Sequence, residues 1–287
     1  MTNPKRLLDS YGINPKKSLG QNFLHDPNAL DKIIRAAELK PEETVLEIGP
    51  GTGALTDWLA SVARRVIAVE LDDRLIPLLQ YRFSDYPNVT LVHANILEVN
   101  LALHIRPDEP YCVVANLPYY ITSAILRYLF EQPHKARRLV VMVQNEVADR
   151  LVAPPGDLSL LGVSVQYYGR PRIIARLSPA IFWPRPDVTS ALVRIDTYAD
   201  GERPVQVADE AQFFHVVKAG FSQKRKQLVN ALSAGLGIDK EATAALLTAA
   251  GIAPTRRAET LTLAEWAALA NQVRQFALPG QTPQQQE

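Results

Sequence analysis

Short runs of β-branched and aliphatic residues alternate with helix-patterned stretches over the first half of the chain, and this alternation leaves few folds open. The runs are Thr44–Ile48, 66–69, Val89–His93, 111–115 and 139–143; helical periodicity falls at 55–63, 73–83 and 122–130. Strands of four to six residues separated by helices indicate βαβ units, hence a parallel sheet covered on both faces. Two further extended runs, 173–176 and 190–195, have no full helix between them and are expected to pair antiparallel at one edge. After the polar stretch 199–204, with Gly201 and Pro204, the pattern turns helical: 211–219, 224–234, 240–250 and Leu263–Phe276. The expectation is an α/β fold with a mostly parallel sheet and an antiparallel edge over residues 1–200. A small helical domain follows over 201–278. A proline- and glutamine-rich tail, 279–287, is expected to be disordered.

A chain of 287 residues with 47% hydrophobic content can build a sizeable core. Residues 1–19 lack an apolar h-region, so no signal peptide is expected, and no apolar run approaches bilayer length. Cys112 is the single cysteine, which excludes an intrachain disulfide and fits a reducing cytoplasm. The five histidines are scattered without metal-ligand spacing, so no metal is expected. The aromatics Tyr167, Tyr168, Phe213 and Phe214 read as core. The net charge of +1 hides an uneven distribution. Lys5, Arg6, Lys16 and Lys17 lie in the N-terminal arm. Lys218, Lys224, Arg225 and Lys226 stand in an acid-free segment, and Arg256 and Arg257 add a pair. Each cluster alone reads as a solvated face; together they suggest a phosphate-facing surface.

The first strand ends in Glu47-Ile48-Gly49-Pro50-Gly51-Thr52-Gly53, and a helix follows. Glycines at such a turn let the backbone approach a ligand. The spacing differs from the G-x-G-x-x-G of dinucleotide sites, and an acid sits beside the turn. A cationic or amine-bearing ligand suits that acid better than a pyrophosphate does. The second strand ends in Glu70, where a carboxylate can accept both hydroxyls of a ribose. Together the two elements fit an adenosine-type cofactor without phosphates, such as S-adenosyl-L-methionine.

The fourth strand runs into Asn116-Leu117-Pro118-Tyr119. Residues at the carboxyl ends of parallel strands face the ligand crevice. The exocyclic amine of adenine is a poor nucleophile, because its lone pair is delocalised into the ring. A transferase must therefore hold the N–H groups so that the lone pair turns toward the methyl. The Asn116 side-chain oxygen and the Leu117 carbonyl can serve as acceptors. Pro118 stiffens the turn, and Tyr119 offers a ring face for stacking. An ordinary turn is the bland alternative, disfavoured by the glycine turn in the same sheet.

At this point the chain resembles the ribosomal RNA adenine dimethyltransferase family. The matching stretches are 17–24 (Lys-Ser-Leu-Gly-Gln-Asn-Phe-Leu), 47–53, 69–70, 116–123, 143–148, 182–191 (Phe-Trp-Pro-Arg-Pro-Asp-Val-Thr-Ser-Ala), 221–226 and 257–261. They span nearly the whole chain. The resemblance implies a Rossmann-like methyltransferase fold with a C-terminal helical domain. It implies that Asn22 and Leu24 contact S-adenosyl-L-methionine from the arm, Gly49 and Gly51 its methionine part, Glu70 its ribose, and Asn116 both cofactor and target amine. It implies that Phe182 stacks on a flipped-out adenine. Lys224, Arg225 and Lys226 would grip RNA from the helical domain. The implied substrate is a pair of adjacent adenosines in the 3′-terminal hairpin loop of 16S rRNA, within the small ribosomal subunit or its precursor, and a monomeric enzyme is expected. The family usually has an acid after the third strand to bind the cofactor's adenine amine; here Asn95 stands there, and its amide oxygen still accepts. Two alternatives remain open. One is the sister activity on a single adenosine of 23S rRNA. The other is a methyltransferase fold used mainly for binding, as an assembly or transcription factor.

Overall fold

The computed structural model describes residues 3–199 and 201–276; the tail expected to be disordered lies outside the described residues. In chain order the elements are α1 (Pro4–Ser10), β1 (Phe23–Leu24), α2 (Pro27–Ala37), β2 (Thr44–Ile48), α3 (Ala54–Val62), β3 (Arg65–Glu70), α4 (Ile76–Arg82), β4 (Val89–His93), β5 (Tyr111–Asn116), α5 (Thr122–Glu131), β6 (Arg138–Gln144), α6 (Asn145–Val152), α7 (Leu160–Tyr168), β7 (Gly169–Leu177), β8 (Phe182–Trp183), β9 (Ser190–Thr197), α8 (Glu210–Phe221), α9 (Leu228–Leu236), α10 (Lys240–Ala249) and α11 (Leu263–Phe276).

These elements form two compact units. The first holds residues 3–149 and 169–198, and the second holds the described residues of 150–168 and 199–276. In the first, seven strands lie in the order β4-β3-β2-β5-β6-β9-β7. β4, β3, β2, β5 and β6 are parallel, and β9 pairs antiparallel with both β6 and β7. β2 is buried at every position and β5 at all but its last, which explains why these runs are mostly apolar. On one side, Leu30, Ile33 and Ala37 of α2 and Leu55 and Leu59 of α3 pack with Val45, Val114 and Met142 of the sheet. Asp26 caps α2 by accepting from the Ala29 N–H at 2.8 Å. The arm makes a second, smaller cluster, with Leu8, Ile13 and Phe23 against Leu75, Leu78, Leu79 and Phe83.

The second unit joins α6's last residues and α7 to the C-terminal helices, whereas the sequence suggests a break only near residue 200. Leu158 and Gly156 N–H groups donate to the Glu259 carbonyl at 3.3 and 2.9 Å. Tyr167 stacks on Phe213 with centroids 4.8 Å apart, and both rings are buried, as core aromatics. The helix expected from residue 224 begins instead at Leu228. Gln227 is extended, and Lys224, Arg225 and Lys226 lie exposed in the preceding turn. Three consecutive cations give no apolar face to pack, so the helix starts at the first residue that does. Among the described residues, no helix is long and apolar enough to cross a membrane.

Candidate active site

Strand register sets the site. Ile48 of β2 pairs with Val69 on one side and Ala115 on the other. Gly49, Glu70 and Asn116 therefore leave the sheet at one level. Glu70 pairs with His93, and its carbonyl accepts from the Ala94 N–H at 3.0 Å, so Asn95 follows at the same rim. The chain moves outward from β2 through β3 to β4, then returns to β5 on β2's other side. Such a switch point, at the carboxyl ends of the strands, opens the crevice where open α/β sheets bind ligands. One cavity at this rim is lined by all seven residues expected to hold the cofactor and by Leu117, Pro118 and Tyr119. The charged residues lining it are Glu47 and Glu70, both acids. A lining with acids and no basic residue disfavours phosphates, and a cationic ligand would favour the ionised form of both acids.

All three glycines of the turn have positive φ, and two of them, Gly49 and Gly51, line the cavity. Gly49 has φ +68°, and a Cβ there would meet nothing within 4 Å, so its open side faces the crevice. Gly51 has φ +59°, and a Cβ there would stand 2.9 Å from the Phe23 ring, which the arm lays on the turn. Inside the turn, Glu47 is buried, and its Oε2 has no partner among the described residues. Burial pushes its carboxyl up to about 8; the Thr56 hydroxyl opposes this, and the charges of Glu70 and Asp57 add to it.

Glu70 is held by three backbone donors. Oε1 accepts from the Leu71 and Asp72 N–H groups, both at 2.8 Å, and Oε2 from Gly51 at 3.1 Å. Burial still raises its pKa against these bonds. A carboxylate offers about four lone-pair positions. Oε1 has both of its own engaged, so the two-oxygen grip on a ribose expected from the sequence is not open in this conformation. Oε2 is the oxygen left for a hydroxyl.

The arm orients Asn116. Its Nδ2 donates to the Asn22 carbonyl at 2.9 Å, and the Asn22 side chain donates to the Gly20 carbonyl at 3.2 Å. Asn116 Oδ1 remains as an acceptor without a partner among the described residues. The arm itself is fastened by Asp72, whose side chain is fully buried. Gln21 donates to it at 2.7 Å and Arg74 at 2.6 Å. Against the cost of burial, these bonds and the Arg74 charge hold the Asp72 carboxyl well below the usual range. Sequence reasoning missed Asp72 and Gln21. The available signal was an acid two residues after Glu70 and a glutamine beside Asn22 in a matched stretch.

Three expected residues differ in placement from their sequence reading. Phe182 does not line the cavity; it is 3% exposed, lies opposite Leu24 in the β1–β8 ladder and packs into the core with Leu30 and Leu192. A ring so enclosed cannot stack on a base unless β8 moves. Asn95 caps a short 3-10 turn: Oδ1 accepts from the Leu97 N–H at 3.2 Å, and Nδ2 donates to Glu98 Oε1 at 3.0 Å. One lone pair of Oδ1 is left for an amine. Arg256, grouped above with a phosphate-facing surface, is instead bound by the Glu265 carboxylate and the Thr260 carbonyl. Tyr119 is half-buried, and its hydroxyl bonds the Ser190 hydroxyl at 2.7 Å. Leu117 is buried, with its N–H donating to the Met142 carbonyl at 3.2 Å. Among the described residues, no group of three His, Cys, Asp or Glu could hold a metal.

Residues 12–275 match the family model described as ribosomal RNA adenine dimethylase. A protein of Dehalococcoides mccartyi, named ribosomal RNA small subunit methyltransferase A, is 46% identical, with 93% of this chain and 91% of that protein covered. A protein of the same name from Geobacillus kaustophilus is 44% identical, covering 93% and 94%. Among solved structures, a dimethyladenosine transferase from Plasmodium falciparum superposes with a TM-score of 0.74 at 25% identity, over 86% of this chain and 95% of that one. The 23S rRNA methyltransferase ErmE gives 0.67 at 29% identity, over 88% and 100%.

Proposed function

Because the chain belongs to the ribosomal RNA adenine dimethylase family, we propose that it is an S-adenosyl-L-methionine-dependent enzyme that dimethylates N6 of two adjacent adenosines in the 3′-terminal hairpin loop of 16S rRNA. It acts in the cytoplasm, as a monomer, on the small subunit or its precursor. The cavity suits this cofactor by its chemistry: two buried acids, no cation among the lining residues, an orphaned Glu47 oxygen and the open side of Gly49. When bound, the cofactor supplies an electrophilic methyl on a sulfonium. Glu47, Gly49 and Gly51 take its methionine end, Glu70 Oε2 a ribose hydroxyl, and Asn95 Oδ1 its adenine amine. Asn22 and Leu24 close the arm over it.

The observation that carries the reading is the Asn116 amide, clamped through Nδ2 with Oδ1 left free. Oδ1 and the Leu117 carbonyl accept the two N–H bonds of the target amine and turn its lone pair toward the methyl. Pro118, without an N–H, keeps this turn rigid, and Tyr119 stacks on the target ring. Catalysis is then positioning and electrostatics without a covalent enzyme intermediate. Phe182 would join as the second face of the base clamp only if β8 moves when RNA binds. Lys224, Arg225 and Lys226 neutralise rRNA phosphates from an exposed turn.

The test is methyl transfer to under-methylated small subunits, with the modified nucleoside identified, run beside Asn116→Ala. The variant is expected to keep its fold and most of its cofactor affinity while turnover disappears. Near-normal kcat would refute the role of Asn116. The likeness to ErmE gives a second reading, with 23S rRNA as substrate. Methylation of large-subunit but not small-subunit particles would favour it.

A further inference from the structure

The ring of Tyr120 stands out at the cavity rim. It is 55% exposed, whereas neighbouring Tyr119 is half-buried with its hydroxyl bonded to Ser190. Tyr120 lines the same cavity as Asn116, Pro118 and Tyr119. Its side chain forms no hydrogen bond or ring contact among the described residues. Its backbone, however, is held. Tyr120 belongs to a short 3-10 turn, Tyr119–Ile121, stiffened by Pro118 and closed by Ile121 N–H donating to the Pro118 carbonyl at 3.3 Å. The arm passes beside the ring: a Cβ at Gly20, which is in the left-handed region at φ +61°, would stand 3.4 Å from Tyr120 Cδ1 and 3.9 Å from Pro118 Cβ. What sets Tyr120 apart from the other exposed aromatics, such as Tyr81, is its place at the mouth of the cavity, where its ring offers a flat apolar face to whatever enters.

Resting on the function proposed above, we infer that Tyr120 is a positioning residue for the RNA: its exposed ring takes the base next to the adenosine that enters the cavity. Drawing one base out of a stacked loop leaves its neighbour with one face open to water. A rigid ring one residue beyond Tyr119 replaces that lost partner, and a stacking platform accepts any base because every base has a π-face. With two adjacent target adenosines, the same platform serves both reactions. While one adenosine is in the cavity, the other lies on Tyr120, and the two then exchange places.

The experiment uses the full chain, S-adenosyl-L-methionine and a hairpin RNA of the target loop, made intact or with an abasic site beside the single remaining target adenosine. Tyr120→Ala is expected to raise KM for the intact RNA tenfold or more, with kcat far less affected, and Tyr120→Phe is expected to restore it. On the abasic RNA the native chain is expected to lose the same factor and Tyr120→Ala to lose nothing further, since the two changes remove one contact. Additive losses, or a Tyr120→Ala chain that matches the native KM, overturn the inference while leaving the function intact. A calorimetric loss of cofactor affinity equal to the loss in KM also overturns it, by making Tyr120 a wall of the cofactor site. A native chain that methylates no rRNA of either subunit overturns the function, and this inference with it.

Discussion

Glu47 should make the folded protein less stable as pH rises, and replacing it by glutamine should remove that loss. The carboxyl is buried with one oxygen unpartnered, and its pKa moves from an ordinary 4.5 to about 8. Between these values the folded chain keeps a proton that the unfolded chain has released. Stability contributed by the protonated form is therefore full below pH 4.5 and is lost as pH climbs toward 8. At ~1.4 kcal/mol per pH unit, the loss is about 3 kcal/mol by pH 7 and on the order of 5 kcal/mol by pH 8, as an upper bound. A domain of ordinary stability, ~5–15 kcal/mol, would show this plainly. Glu47→Gln keeps the shape and cannot ionise. Urea titrations of both chains at pH 5, 6, 7 and 8 should give a difference near zero at pH 5 that grows in favour of the variant with pH. A difference that stays flat from pH 5 to 8 would show that Glu47 is ionised and solvated in the free protein. Under the proposed function, a cationic cofactor beside Glu47 reverses the protonation. Its binding at pH 7 then releases about one proton, measurable as a calorimetric heat that changes with the buffer's ionisation enthalpy.

Gly51→Ala should cost about 2 kcal/mol or more, since it puts an L-residue at φ +59° and a methyl against the Phe23 ring; an unchanged urea midpoint would contradict this. Asn95→Ala should weaken cofactor binding by about 1 kcal/mol through loss of one neutral hydrogen bond, and full affinity by calorimetry would return Asn95 to a purely local cap. Replacing Lys224, Arg225 and Lys226 by glutamine should weaken RNA binding and flatten its log–log salt dependence by about 0.7–0.9 per lost phosphate contact. A salt slope equal to the native one would make the cluster a solvated surface.

The sheet could be read from the sequence because its signal is local. A strand buried on both faces is mostly apolar: Tyr111–Asn116 is so at all but its last position, and Thr44–Ile48 at three of five, with Thr44 and Glu47 buried as polar exceptions. Once the strands are placed, parallel register puts Gly49, Glu70 and Asn116 at one level with no further information. The antiparallel edge followed from the absence of a helix between its two runs. The helix begins at Leu228 and not at residue 224, because charged residues fit a helix pattern by propensity while packing decides where the helix begins. Phe182 was assigned from a matched stretch, which fixes neither burial nor which side of a two-residue ladder faces the core.

What the sequence did not disclose is the bond that gives Asn116 its direction. Its donor and acceptor are 94 residues apart, and the acceptor is a backbone carbonyl, which leaves no trace in residue identity. Gln21 and Asp72 are likewise distant in sequence, 51 residues apart, although both partners there are side chains. Both contacts connect the arm to the strand ends, so the site is assembled by the arm as much as by the sheet. An asparagine amide can turn end over end at little steric cost, and either end can meet an amine or a carbonyl. Only the Asn22 carbonyl, by taking Nδ2, assigns Oδ1 to the cavity. Asn116 alone at a strand end is therefore an ambiguous group. Asn116 beneath a fastened arm is an acceptor of fixed direction, which is what a nitrogen with a delocalised lone pair requires.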